Sequence, residues 1–298
     1  MVGGVIQGLI VLNNEDTYTY QSWHTTLLTI AVIIFASLFN TLLAVRLPLV
    51  EGGLLILHFA GLFAIIIPLW VMAPRGNVHD TLLKFTTTAG WSDVSLASLI
   101  GMVSIIAVLV GYDCTVHMCK EWISSGKCHT LTLCDPAEEV QDASIVLPKV
   151  LICSIVPNGI MTLIMGVTFI FCIGDIDAVL ASPTNEPFIQ VFYNATQSYA
   201  GTTIMTSIIA IMLTSACISE VATASRQLWS FARDQGLPFS HWLSDVSPGW
   251  NIPLRAVFVS VVISSLLSLV GIGSTVALNA INSLGVVSLL FSYTVTIR

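Results

Sequence analysis

The chain has 298 residues, 55% hydrophobic and only 9% charged, with a formal net charge of −7. Apolar runs of about 20 residues, unbroken by charged turns, exclude an ordinary soluble domain and fit helices crossing a hydrocarbon core of ~30 Å. There is no basic cluster for nucleic acid, and no Walker motif, dinucleotide glycine fingerprint or catalytic-triad pattern.

In chain order, residues 1–12 are apolar but too short to span, and no charged leader precedes them. They read as the outer end of a preceding helix, and we expect a fragment of a longer membrane protein. Spans follow at 25–45 and 52–73, the second holding His58, which reads as a packing residue more readily than as a proton site. The third span, 94–116, is apolar through Val110 and then turns to Gly111, Tyr112 and Asp113. Glycine weakens a helix, and an aspartate at membrane centre costs roughly 2.5–3.5 kcal/mol. Two readings stay open: a broken helix lining a substrate cavity, or a helix reaching the interface with Asp113 in water.

The fourth span, 150–173, holds Pro157, Asn158 and Gly159, a candidate kink. The loop 174–201 carries proline turns, a predicted short helix near 188–193 and the sequon Asn194, Ala195, Thr196. The fifth span, 202–224, is rich in small and hydroxyl residues, among them Thr214 and Ser215, and contains Glu220, whose role stays open. Residues 226–238 predict a separate short helix with aromatic faces, stopped at Gly236 and Pro238. The last spans are 256–272 and 276–297; the latter carries Asn279, Asn282, Ser283 and Gly285 at membrane depth. The fold class is therefore an all-α, polytopic transmembrane helix bundle in one domain.

The basic residues divide unevenly between alternate gaps. Arg46, Lys120, Lys127, Lys149, Arg226, Arg233, Arg255 and Arg298 fall on one side, against Arg75 and Lys84 on the other. The positive-inside rule makes the first side cytoplasmic. Asn194, a glycosylation candidate, then lies outside. Most of the seven cysteines sit in or beside spans and none clearly in an outside loop, which argues against a disulfide framework. Cys119, Cys128 and Cys134 with His117 and His129 match no common zinc spacing, so no metal is expected.

Several segments together resemble the fungal amino acid and choline permeases of the amino acid–polyamine–organocation superfamily. They are Phe39, Asn40, Thr41; Leu47 to Glu51; Gly111, Tyr112, Asp113 with Val116, His117, Met118; Glu138, Glu139, Val140 with Asp142, Ala143, Ser144; and Pro187 to Gln190. The longest is Ser225, Arg226, Gln227 with the run from Trp229 to Phe239. The resemblance covers almost the whole chain.

It implies twelve spans with an inverted repeat of five, of which this chain holds about the fourth to the tenth. It implies a secondary transporter of amino acids or related amines such as 4-aminobutyrate or choline, working by alternating access between two broken helices, the first and the sixth. The sixth is the span ending at residues 111–113. On that template Val110 and Gly111 contact substrate through backbone, Tyr112 is a gate or wall, and Asp113 a polar or cation contact. Thr214, Ser215 and Asn279 are weaker candidates. The partners implied are the lipid bilayer and a small amine or amino acid. No cofactor is implied, the coupling ion stays open between H+ and Na+, and an integral plasma-membrane protein is expected. Without the first broken helix we expect this chain alone not to transport.

Other classes are a seven-span receptor, a non-functional transporter fragment and a channel. The receptor reading lacks an Asp-Arg-Tyr after the third span and an Asn-Pro-x-x-Tyr in the seventh; a channel lacks a pore-like ring of charges.

Residues 119–136 interrupt the family pattern between Met118 and Glu138 and read as a retained intron. Cys119 and Lys120 permit a splice donor, Leu131 and Thr132 a branch sequence, and Pro136 with Ala137 an acceptor. Removal from the second base of codon 119 through the first base of codon 137 takes out a whole number of codons. The junction then reads Val-His-Met-Ser-Glu-Glu-Val, the family pattern. Sequencing transcripts across this region is expected to show the shortened form; only full-length mature transcripts would overturn the reading.

Overall fold

The computed structural model describes residues 1–14, 16–43, 46–83, 93–111, 114, 143–247 and 252–296. Among these the regular structure is helical, with no strand. The helices are α1 (Val2–Asn13), α2 (Ser22–Leu42), α3 (Leu47–Met72), α4 (Val78–Leu82), α5 (Val94–Leu109), α6 (Ala143–Cys172), α7 (Ile176–Leu180), α8 (Pro187–Thr196), α9 (Tyr199–Arg233), α10 (Ser240–Leu243), α11 (Leu254–Gly273) and α12 (Thr275–Thr296). Six of them, within α2, α3, α6, α9, α11 and α12, are long and apolar enough to cross a membrane. This is the polytopic all-α architecture.

The structure redraws two of the local readings and places a third. In the third apolar run α5 covers 16 residues and the backbone leaves its helical path at Val110, with Cys114 beyond the break helical again. The fifth run continues without interruption to Arg233, so the predicted separate cytoplasmic helix is the last turns of α9. No glycine or proline lies between Ala224 and Arg233 to stop it. Pro157 sits inside α6, which stays helical from Ala143 to Cys172.

Helix α9, 35 residues and roughly 52 Å long at 1.5 Å per residue, is the central pillar. It packs against α1, α2, α3, α8, α10 and α11. A ring of neighbours runs from α3 through α6, α5, α12 and α11 and returns through α9. Apolar side chains stand on the outer faces as well as in the core. Leu55, Ile56, Phe63, Leu163 and Phe258 are exposed, as lipid-facing residues are. Buried positions include Thr26, Asn40, Thr168, Thr202 and Thr223. Hydrocarbon offers no hydrophobic drive between helices, so hydroxyl and amide residues share the contacts with close-packed apolar side chains such as Leu69 and Ile189. Trp70 Nε1 donates to Thr168 Oγ1 at 2.9 Å between α3 and α6, and Asn40 Nδ2 donates to the Ile218 carbonyl at 2.7 Å between α2 and α9.

Helix α1 is the tightest case. A Cβ on Gly3 would lie 2.5 Å from the Thr25 carbonyl oxygen and 2.9 Å from the Thr29 nitrogen, so α1 and α2 meet backbone to backbone. Gln7, fully buried, holds the junction: its Nε2 donates to Tyr18 OH at 3.1 Å and to the Gln21 carbonyl at 3.0 Å, and its Oε1 accepts from Thr25 Oγ1. At the same end α7 and α8 pack together, and Val179, Val191, Phe192 and Ala195 join Ile65, Leu69, Cys172 and Met205 in one apolar cluster. Glu186, at the start of α8, rests on Gly4 of α1. Burial pushes its carboxyl above the ordinary carboxylate range.

Gly3→Ala places a methyl group against immovable backbone and is expected to cost about 1–3 kcal/mol. The midpoint of SDS-induced unfolding in mixed micelles measures it. Gly53→Ala, with nothing within 4 Å of the added atom, is the control and should leave the midpoint unchanged or raised.

Candidate functional site

The feature that sets α5 apart is how it ends. The N–H of Val110 bonds the Ala107 carbonyl at 3.3 Å, and Val110 then adopts φ −66° and ψ 143°, off the helical path. Gly111 follows at φ +105°, a region that side chains with a Cβ rarely enter. Its carbonyl accepts from the Cys114 N–H at 3.2 Å, forming a turn. As at any helix C-terminus, the last carbonyls of α5 lie beyond the regular hydrogen-bond ladder. These groups form the negative end of the helix dipole, which favours a cation or a hydrogen-bond donor. Tyr112 and Asp113 lie outside the described residues, as do His117, residues 119–136 with Cys119, Cys128, Cys134 and His129, Lys84 and Arg298.

The remaining candidates sit on two helices. Thr214 and Ser215 lie on α9, and each hydroxyl donates into its own helix, to Ala210 at 2.7 Å and to Ile211 at 2.9 Å. Their protons are engaged, while their oxygens keep lone pairs for a donor such as an ammonium group. Asn279 is exposed on α12, as are Asn282 and Ser283, and α12 buries none of its residues. The contacts set α12 beside α5, so the helices of Val110 and Asn279 run as neighbours. Helix α9 reaches them through α11, which packs on both α9 and α12.

His58, half-buried in α3, meets the ring of Phe59 edge-on at 6.2 Å, and Glu220 is exposed on α9. Asn194 is half-buried in α8, where its Oδ1 accepts from Gln190 Nε2 at 2.9 Å. Two polar residues escaped the sequence reading. Gln7 is the buried link described above. Thr206, on the N-terminal half of α9, is fully buried with no hydrogen-bond partner for its hydroxyl. Its spacing of four from Thr202 was visible, but four-residue spacing marks a shared face without saying which hydroxyl lacks a partner.

The geometry can be set beside known proteins. The family model described as amino acid permease matches residues 1–297. The chain is 24% identical to a putative amino acid/polyamine transporter of Macrophomina phaseolina, over 99% of this chain and 61% of that protein. It is 24% identical to the choline transporter of Saccharomyces cerevisiae, over 98% of this chain and 49% of that one. To the 7-keto 8-aminopelargonic acid transporter of the same yeast it is 26% identical, over 74% and 38%. Relatives matched along nearly the whole chain are thus longer, and the chain spans 49% to 61% of these two. No solved structure matches it.

Gly111→Ala has open space around it but an unsuitable φ, so the loss comes from backbone strain alone. A destabilisation of about 1–2 kcal/mol is expected. Gly101→Ala, in the regular part of α5 and equally unobstructed, should stabilise by up to ~1 kcal/mol. Opposite shifts of the two unfolding midpoints check the conformation of the break.

Proposed function

The chain belongs to the amino acid permease family, and from that premise we propose that it is the middle portion of a secondary transporter of amino acids or related amines, working by alternating access. The observation that supports this best is the end of α5. An apolar helix of 16 residues stops at Leu109, and left-handed Gly111 follows. Irregular backbone at membrane depth is tolerated only inside protein or beside a water-filled cavity. In this reading the exposed carbonyl end of α5 receives the ammonium group of substrate. Val110 and Gly111 contact it through backbone, Tyr112 forms a wall, and Asp113 supplies negative charge. Thr214 and Ser215 accept hydrogen bonds from the α9 side, and Asn279 adds an amide from α12.

The substrate class is small amines and amino acids, including 4-aminobutyrate and choline, since each carries the cation that a helix C-terminus attracts. The basic residues set the sidedness, with Lys149 and Arg233 in the cytoplasm and Asn194 outside.

Uptake of radiolabelled neutral amino acids, 4-aminobutyrate and choline tests the proposal. Two proteins are compared in cells: residues 1–298 alone, and a chimera in which they replace the matched segment of the S. cerevisiae choline transporter. The chimera is expected to take up at least one substrate, and Gly111→Ala within it to lower that uptake about tenfold or more. The chain alone is expected to show background uptake. A chimera that reaches the membrane yet carries none of the substrates overturns the proposal.

A further inference from the structure

The segment between α9 and α11 is more ordered than a connecting turn requires, and its order is unusual. Gly236 N–H bonds the Phe231 carbonyl at 3.0 Å, and a Cβ on Gly236 would lie 2.8 Å from the Phe231 ring. Trp229 Nε1 donates to the Ser244 carbonyl at 2.9 Å, tying α10 to the last turn of α9. Arg233 lies over the Trp229 ring at 4.9 Å, with Asp234 at 4.0 Å. Arg255 lies over the Trp242 ring at 5.5 Å, bonds the Trp242 carbonyl at 3.1 Å and pairs with Asp245 at 2.9 Å.

Within this framework one residue is misplaced for water. Phe239 is 81% exposed and sits at φ +62°, where glycine or asparagine is the usual choice. Both the exposure and the conformation are unfavourable for phenylalanine in solvent. Trp242 and Phe231 are exposed nearby, at 46% and 58%.

Depth explains the arrangement. Helix α11 has 20 residues, which at 1.5 Å each matches a hydrocarbon core of ~30 Å. Arg255, its second residue, therefore lies at the edge of that core. Its bonds to Trp242 and Asp245 hold α10 at the same level. Phe239 is one turn away, its carbonyl accepting from the Trp242 N–H at 2.9 Å. Aromatic rings favour this boundary, and guanidinium groups at this depth meet phosphate. Three arginines and two aspartates occupy residues 226–255, so the carboxylates orient the arginines and leave an excess of positive charge.

We propose that residues 231–242 are a membrane-docking element: Phe239 and Trp242 insert at the acyl boundary while Arg233 and Arg255 hold phospholipid headgroups. The proposal rests on the chain crossing a bilayer and not on what it carries.

The test replaces Phe239 with a photoreactive benzophenone analogue. The full chain is reconstituted in phosphatidylcholine vesicles holding a minor share of phosphatidylserine. Illumination is expected to give adducts of intact phospholipid mass, with phosphatidylserine at least about twofold above its share in the vesicle. Arg233→Gln with Arg255→Gln should return the adducts to vesicle composition without abolishing them. Raising the ionic strength on the unaltered arginines gives the same reading if the double variant folds poorly. Adducts confined to protein, no lipid adduct, or lipid adducts indifferent to headgroup and salt overturn the proposal. The vesicles contain no substrate, so failure here leaves the transport reading standing, and absent uptake leaves the lipid adducts standing.

Discussion

Hydrocarbon supplies no hydrogen bonds, and every other feature of this chain follows from that. A backbone N–H or carbonyl left unpaired in lipid costs several kcal/mol, so each spanning segment must satisfy itself as a helix. The same solvent removes the hydrophobic reason for helices to associate. Contact has to come from close packing and from polar links between neighbours. Gly3 lets α1 touch the backbone of α2, Asn40 reaches the Ile218 carbonyl, and Trp70 reaches Thr168. The outward faces, by contrast, are Leu, Ile and Phe.

Against that background the end of α5 is conspicuous. Elsewhere prolines inside α3 and α6 leave the helices continuous. At Val110 the helix stops without proline, and Gly111 turns the chain through a left-handed conformation. A free carbonyl cluster is a liability facing lipid and an asset facing a cation. The exposed amides of α12 present the same choice on the adjoining helix. In the proposed transporter both face the substrate path.

Helix positions were legible because lipid demands length and apolarity, both of which are local properties. Boundaries were less so. The run at 94–116 reads as one span, since Val, Tyr and Cys continue the apolar composition past Gly111; whether a glycine bends the chain depends on its φ, not on its neighbours in sequence. At Ala224 hydropathy falls, yet helix propensity does not, so α9 continues to Arg233. Gln7 gave no signal as a lone polar residue in an apolar stretch, because its partners Tyr18, Gln21 and Thr25 are brought to it by the turn before α2. The candidate site showed in the sequence only as residue types, and its roles are what the permease resemblance implies. The order in which α5, α12, α11 and α9 stand side by side is a property of packing that periodicity does not encode.

The length of α9 has a mechanical consequence. Roughly 52 Å of helix cannot fit within a core of ~30 Å, and even a tilt of about 40° leaves a vertical span of roughly 40 Å. Its ends therefore emerge on both sides, with α8 packed near one and α10 near the other. An unbroken helix without internal proline behaves as a rigid rod. Rocking it by about 5° around its midpoint carries each end roughly 2 Å, in opposite directions. Thr202 and Arg233 then stand near the two ends of one lever.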